Sequence, residues 1–173
     1  MDQNELQAHI RNHTLEQAVK TLKKEQTEAQ LRGEQEKSAL ALNDLGVVYS
    51  LLNRDEDGRR VLREAQRFFI EFDDAAGQGR ALGNLAQLEE RAGNLDAASA
   101  CYLQAADLFH QANALADEYT TRRRLSRLYL KRGAIWMALH ETARALGVKP
   151  NPSVFDKFQR WLYLLPLRLM GIG

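Results

Sequence analysis

The sequence predicts an all-α chain of stacked helical hairpins, and three observations carry that prediction. The first is a repeat. Residues 41–46 read Ala-Leu-Asn-Asp-Leu-Gly and residues 81–86 read Ala-Leu-Gly-Asn-Leu-Ala. The offset of 40 persists: Ala65 falls on Ala105 and Ala145, Phe69 on Phe109, Gly93 on Gly133, and Leu45 on Leu85 and Leu125. A fixed period of this size marks a stacked repeat array. The second is apolar spacing at i, i+3, i+4 and i+7, which collects side chains on one helix face. The third is composition. The chain has only 3 Pro and 11 Gly, with most Gly at unit boundaries or in short turns. Strand-type alternation is hard to find, so long helices are favoured over a turn-rich β protein.

The elements follow in order. Residues 1–33 read as a partial N-terminal repeat or cap, whose first helix would be short and polar. Unit one covers 34–73. Leu42, Leu45, Gly46 and Tyr49 form one stripe, Asn53 to Gly58 a polar break, and Val61, Leu62, Ala65, Phe68, Phe69 and Phe72 a second stripe. Two facing stripes around a short break make an antiparallel hairpin. Asp73 and Asp74 stand where the next helix needs an N-cap. Unit two covers 74–113, with Leu82, Leu85, Ala86 and Leu88, a stop at Gly93-Asn94, then Ala98, Tyr102, Ala105, Leu108 and Phe109. Gly and Asn suit that stop because they tolerate the left-handed conformation of a C-cap. Unit three covers 114–150, with Leu125, Ser126, Leu128 and Tyr129, a stop at Gly133, then Ala138, Leu139, Thr142, Ala143 and Leu146. Gly147 and Pro150 end it.

Residues 151–173 restart the chain as a C-terminal amphipathic helix. Phe155, Phe158, Trp161, Leu162, Leu165 and Leu169 form its apolar stripe, and Lys157, Arg160 and Arg168 flank it. Pro166 should kink or end it. Three readings stand: a cap over the open face of the last repeat, an interfacial helix on anionic membrane, or a swapped or dimerising helix. The final run through Met170 and Ile172 is more apolar than a cap needs.

These residues resemble the tetratricopeptide repeat family, in the form with about 40 residues per unit. Unit one supplies Leu42, Leu45, Gly46, Tyr49, Gly58, Leu62 and Ala65. Unit two supplies Leu82, Leu85, Ala86, Ala98, Tyr102 and Ala105, but has Glu89 at an aromatic place. Unit three supplies Leu125, Ser126, Tyr129, Ala138, Ala145 and Pro150, but has Arg122 first and Thr142 at the second aromatic place. The resemblance implies a right-handed α–α superhelix with a C-terminal capping helix. It also implies extended-peptide binding on the first helices of the units. The groove places are then Asn43 in unit one, Arg80, Asn84, Gln87 and Arg91 in unit two, and Arg123, Arg124, Arg127 and Lys131 in unit three. Leu40, Val47 and Leu51 also fall on it. A dicarboxylate clamp is half present: Asn84 and Arg124 match its later places, while Asn43 and Val47 do not match its first.

Charge sharpens the partner. Residues 1–118 hold 13 Lys/Arg against 21 Asp/Glu, and residues 119–173 hold 11 against 2. Arg pairs bidentately with carboxylates, so an acidic or extended peptide is the expected partner. Head-to-tail self-association and an anionic membrane surface are the alternatives. Arg122, Arg123 and Arg124 are consecutive, so a helix points them different ways; a solvated face and a ligand-contacting face both remain open. Nucleic acid is disfavoured because the basic end carries no recognisable module for it.

No catalytic chemistry is expected. There is no Gly-rich phosphate loop, no His-Glu-x-x-His motif and no cysteine pair. His9 and His13 are four apart but lack a third ligand. Cys101 is alone, which points to a small core residue and a reducing, cytoplasmic compartment. No secretory signal is visible, and no apolar stretch reaches spanning length. The expectation is therefore a cofactor-free interaction scaffold, with a membrane-peripheral assembly factor as the alternative. Similar arrays serve as bacterial regulators and assembly factors.

Overall fold

The computed structural model describes residues 3–169 and 171, with side chains described from residue 11 onward except that of Leu167. The fold is all-α: among the described residues there are eight helices and no strand. They are α1 (Gln3–Leu31), α2 (Gln35–Leu51), α3 (Asp55–Glu71), α4 (Ala75–Arg91), α5 (Leu95–Gln111), α6 (Leu115–Lys131), α7 (Ile135–Val148) and α8 (Val154–Leu169). Two compact units, residues 1–88 and 89–173, divide the chain within α4.

The backbone has a shorter period than the side chains. Each linker from Arg32 to Ala134 is three residues long, and successive helices α2 to α7 begin 20 residues apart. The middle linker residue always has positive φ, between 54° and 82°: Gly33, Asn53, Asp73, Gly93, Asn113 and Gly133. The next residue's N–H returns to a carbonyl five residues back, as in Arg54 to Tyr49, Asn94 to Glu89 and Ala134 to Tyr129, each 2.9 Å. This is the Schellman closure, which satisfies carbonyls a helix end leaves orphaned. Five of the helices begin without a side-chain N-cap bond. Asp74 is different: its Oδ1 accepts the Gly77 N–H at 2.8 Å. Asp73 beside it is the left-handed residue, not a cap.

A non-glycine residue in that conformation is strained. Asp73 is exposed and has φ +56°. Asp73→Gly is expected to raise stability by about 0.5–1 kcal/mol in urea denaturation. No gain would show that the strain is relieved elsewhere.

In the first unit, α1 packs on α2 through Val19, Leu22 and Ala29, and α2 pairs with α3 around Leu42, Leu45, Tyr49, Val61, Ala65 and Phe69. Gly46 sits at the crossing, where a Cβ would lie 2.4 Å from Leu62 Cγ. Two expectations change here. Residues 3–31 form one continuous 29-residue helix, polar as expected but not short. The break after α2 ends at Arg54, and Gly58 lies buried inside α3, where a Cβ would meet Leu88 Cδ1 at 2.7 Å.

In the second unit α5, α6, α7 and α8 pack in succession. Ala98, Tyr102, Ala105, Phe109, Leu125, Leu128, Ala138, Ala143 and Ala145 are buried. Ser126 stands 80 residues after Gly46 and uses its hydroxyl: Oγ donates to the Ala138 carbonyl at 2.9 Å and lies 2.7 Å from Thr142 Oγ1. Leu45, Leu85 and Leu125 are 2%, 7% and 0% exposed, so the repeat in sequence is a repeat in burial.

α8 departs from the sequence expectation at its proline and, of the three readings left open, does not bury its stripe as a cap would. It runs through Pro166 to Leu169, with no stop at the proline. Pro166 forgoes one backbone bond in the last turn of an exposed helix, where the loss is small. The apolar stripe also faces outward. Phe155, Phe158, Trp161 and Leu162 are 64%, 55%, 51% and 46% exposed, whereas Asp156 is 7% exposed. α8 therefore packs on α7 through its polar side. Met170 and Ile172, the end of the expected apolar run, lie outside the described residues, as does the His9 side chain.

Candidate functional site

The groove residues named from the sequence separate into three kinds. In the first unit, Asn43 is buried, and its Oδ1 accepts a hydrogen bond from Asn84 Nδ2 at 3.0 Å. Gln87 Nε2 donates to the Gly83 carbonyl at 3.3 Å. Asn43 and Asn84 thus tie α2 to α4, and Asn43 is floor material without ligand access. Leu40, Val47 and Leu51 on the same helix are 38%, 38% and 54% exposed. Arg80 is exposed, 3.5 Å from Asp74 and 5.8 Å from the Phe69 ring centroid.

In the second unit, Arg91, Arg123, Arg124, Arg127 and Lys131 are exposed. Lys131 is paired with Glu90. Glu90 also accepts from Tyr102 Oη at 3.2 Å. Burial, reinforced by the Glu90 charge, pushes the Tyr102 hydroxyl up to about 12. Lys131 is therefore partly spent on structure, Arg124 is hydrogen-bonded to the Tyr102 hydroxyl, and Arg123 and Arg127 are exposed.

Arg123 lines a cleft. The cleft, of about 210 Å³, is bounded by Tyr119, Arg123, Thr142, Ala145, Leu146, Asp156, Gln159 and Tyr163. The Arg123 guanidinium lies 5.6 Å from the Tyr119 ring centroid and donates to Tyr119 Oη at 3.4 Å. An arginine fork beside two tyrosines and a glutamine can grip a carboxylate and cover its carbon stem. The one carboxylate in the wall is already engaged. Asp156 accepts both Lys149 Nζ, at 2.7 and 2.8 Å, and the Ser153 hydroxyl at 2.7 Å. The Asp156 N–H returns to Ser153 Oγ at 3.1 Å, a reciprocal cap that starts α8. Lys149 and Ser153 together hold the Asp156 carboxyl down at about 2.

Arg122 is the residue that sequence reasoning missed. It is 0% exposed. Its Nε donates to Glu118 at 2.7 Å, Nη1 to Glu141 at 3.1 Å and Nη2 to Asp107 at 3.2 Å. His110 Nδ1 lies 3.0 Å from Glu118. Burial works against the Arg122 charge, but Glu118 and Glu141 outweigh it, and the guanidinium is raised above its ordinary value. Among the described residues no buried side-chain polar atom lacks a hydrogen-bond partner. The signal was present in the repeat: Arg122 occupies the place of Leu42 and Leu82, and Glu141 that of Val61 and Cys101. An ionic side chain at a core place needs an ionic partner at another.

No family model and no curated protein matches the sequence. Among solved structures, the chain is similar to BtubC (BKLC) from P. vanneervenii. The likeness covers 91% of this chain and 85% of that one, with a TM-score of 0.50 and 15% sequence identity. At that identity it bears on the fold alone. Among the described residues no helix is long and apolar enough to cross a membrane.

Proposed function

We propose that this chain is a non-catalytic, tetratricopeptide-like scaffold of the cytoplasm that holds a partner protein through an acidic or extended segment. One observation carries the reading: Arg123 stands at the cleft of Tyr119, Gln159 and Tyr163 in the second unit. A neighbour supports it. Arg127 lies four residues on along α6, on the same helix face, and is exposed. The partner class follows from charge, because Arg forks favour carboxylates and the cleft is too small for more than a side chain or a chain end.

The test compares wild type with Arg123→Glu/Arg127→Glu in fluorescence anisotropy against a labelled Asp/Glu-rich peptide. Charge-assisted bonds to carboxylate contribute about 1.5–3 kcal/mol each, so the variant should bind at least roughly tenfold more weakly. Both positions are exposed, and the melt should not move. Equal peptide affinity, or the same proteins recovered from lysate by both forms, would remove Arg123 and Arg127 from the site.

A further inference from the structure

The outward face of α8 is not used by the packing of the second unit or by the Arg123 cleft. On a helical wheel Val154, Phe155, Phe158, Trp161, Leu162, Leu165 and Leu169 fall within an arc of about 120°. All seven are exposed, from 39% at Leu165 to 84% at Val154. Phe158 and Trp161 stack on each other with centroids 6.0 Å apart, so the face is a continuous aromatic ridge. The inner face is held by polar contacts of Asp156 with Lys149 and Ser153.

The charges beside the ridge have one sign. The only acid of α8, Asp156, is buried and paired with Lys149. The exposed charges, Lys157, Arg160 and Arg168, are all positive and lie on one flank. The same holds more widely. The two acids of residues 119–173 are Glu141 and Asp156, and both are buried in ion pairs.

We propose that α8 lies on an anionic membrane surface, with the ridge in the acyl–headgroup boundary and Lys157, Arg160 and Arg168 at lipid phosphates. The geometry selects this occupant over a second copy of the chain. A second α8 offers Lys157, Arg160 and Arg168 no exposed acid to pair with, and an antiparallel pair of ridges would set the two cationic flanks side by side, whereas lipid phosphates answer those charges. Length selects lying over spanning: 16 residues rise about 24 Å, less than the roughly 30 Å hydrocarbon core. Aromatic side chains on an apolar face, with cations along its edge, match a helix resting in the interface plane. This inference is independent of the peptide-binding reading, because the ridge faces away from the Arg123 cleft.

The experiment is sedimentation of the full chain with phosphatidylcholine vesicles, and with vesicles that also contain phosphatidylglycerol. Binding is expected to the anionic vesicles only, and to fall roughly tenfold or more when salt is raised. Trp161 fluorescence, read in Trp136→Phe, should shift to the blue on binding. Phe158→Ser/Trp161→Ser removes two half-exposed rings, 55% and 51% exposed, that lie outside the buried core, and should abolish sedimentation with little change in the melt. Lys157→Glu/Arg168→Glu leaves the ridge intact and should abolish it too. No sedimentation at low salt overturns the proposal, as does full binding by either double variant. A concentration-dependent dimer that Phe158→Ser/Trp161→Ser dissolves, in a chain that ignores anionic vesicles, assigns the ridge to self-association instead.

Discussion

Arg122→Met is expected to destabilise the second unit by about 3–5 kcal/mol, although methionine packs well in most cores. The cost does not arise from lost volume. It arises because Glu118 and Glu141, 1% and 4% exposed, lose the cation that compensates their burial. Exposed pairs such as Arg54 with Asp57 stand at the other extreme, where water screens both charges and the pair contributes little. In thermal denaturation the drop corresponds to roughly 6–20 °C for a chain of this size. The compensated variant decides the mechanism. Arg122→Leu/Glu118→Gln/Glu141→Val places at each position a residue that occurs one or two repeats earlier, at Leu82, Gln78 and Val61. It should recover to within about 1 kcal/mol of wild type, or exceed it, since apolar replacements of buried ion groups are often neutral or better. A single variant that melts like wild type would show that the cluster contributes nothing. A compensated variant as weak as the single one would show that the charges are needed for the fold itself.

Gly46→Ala is the second large effect, and two terms oppose each other in it. Alanine is the better helix former by about 1 kcal/mol. Its methyl, however, would stand 2.4 Å from Leu62 Cγ and 2.5 Å from Leu62 Cδ2. Leu62 is 1% exposed and cannot turn away, so α2 and α3 must separate. Overpacking of this kind costs about 1–3 kcal/mol and should win. The chain offers its own rescue, because Ser126 and Thr142 stand 80 residues after Gly46 and Leu62 and meet at 2.7 Å. Gly46→Ser/Leu62→Thr copies that pair and should regain at least half of the loss in calorimetry. If Gly46→Ala is neutral, the crossing is looser than its contacts imply.

Much of the fold was legible because the core places repeat. Leu42, Leu45, Tyr49, Leu62 and Ala65 were named from spacing and are buried. The 20-residue rhythm of the turns was legible in principle, since Gly, Asn or Asp stands at each of 33, 53, 73, 93, 113 and 133. It went unread because the side-chain repeat, at 40, is louder. The candidate site was legible only in part. Arg123, Arg124 and Arg127 are exposed. Asn43 is consumed by Asn84, and Arg122 by three carboxylates. A string of letters does not say which arginine of three meets which acid 15 or 19 residues away.

The amino-acid sequence alone determined that the chain is helical, where its hairpins lie and which face of each repeat is apolar, since these depend on contacts a few residues apart. Only the tertiary structure decided which way α8 turns. Its apolar stripe was plain, but a terminal helix has two faces and one neighbour. Asp156, Lys149 and Ser153 form bonds strong enough to seat the polar face on α7. The aromatic ridge is left outside for that reason.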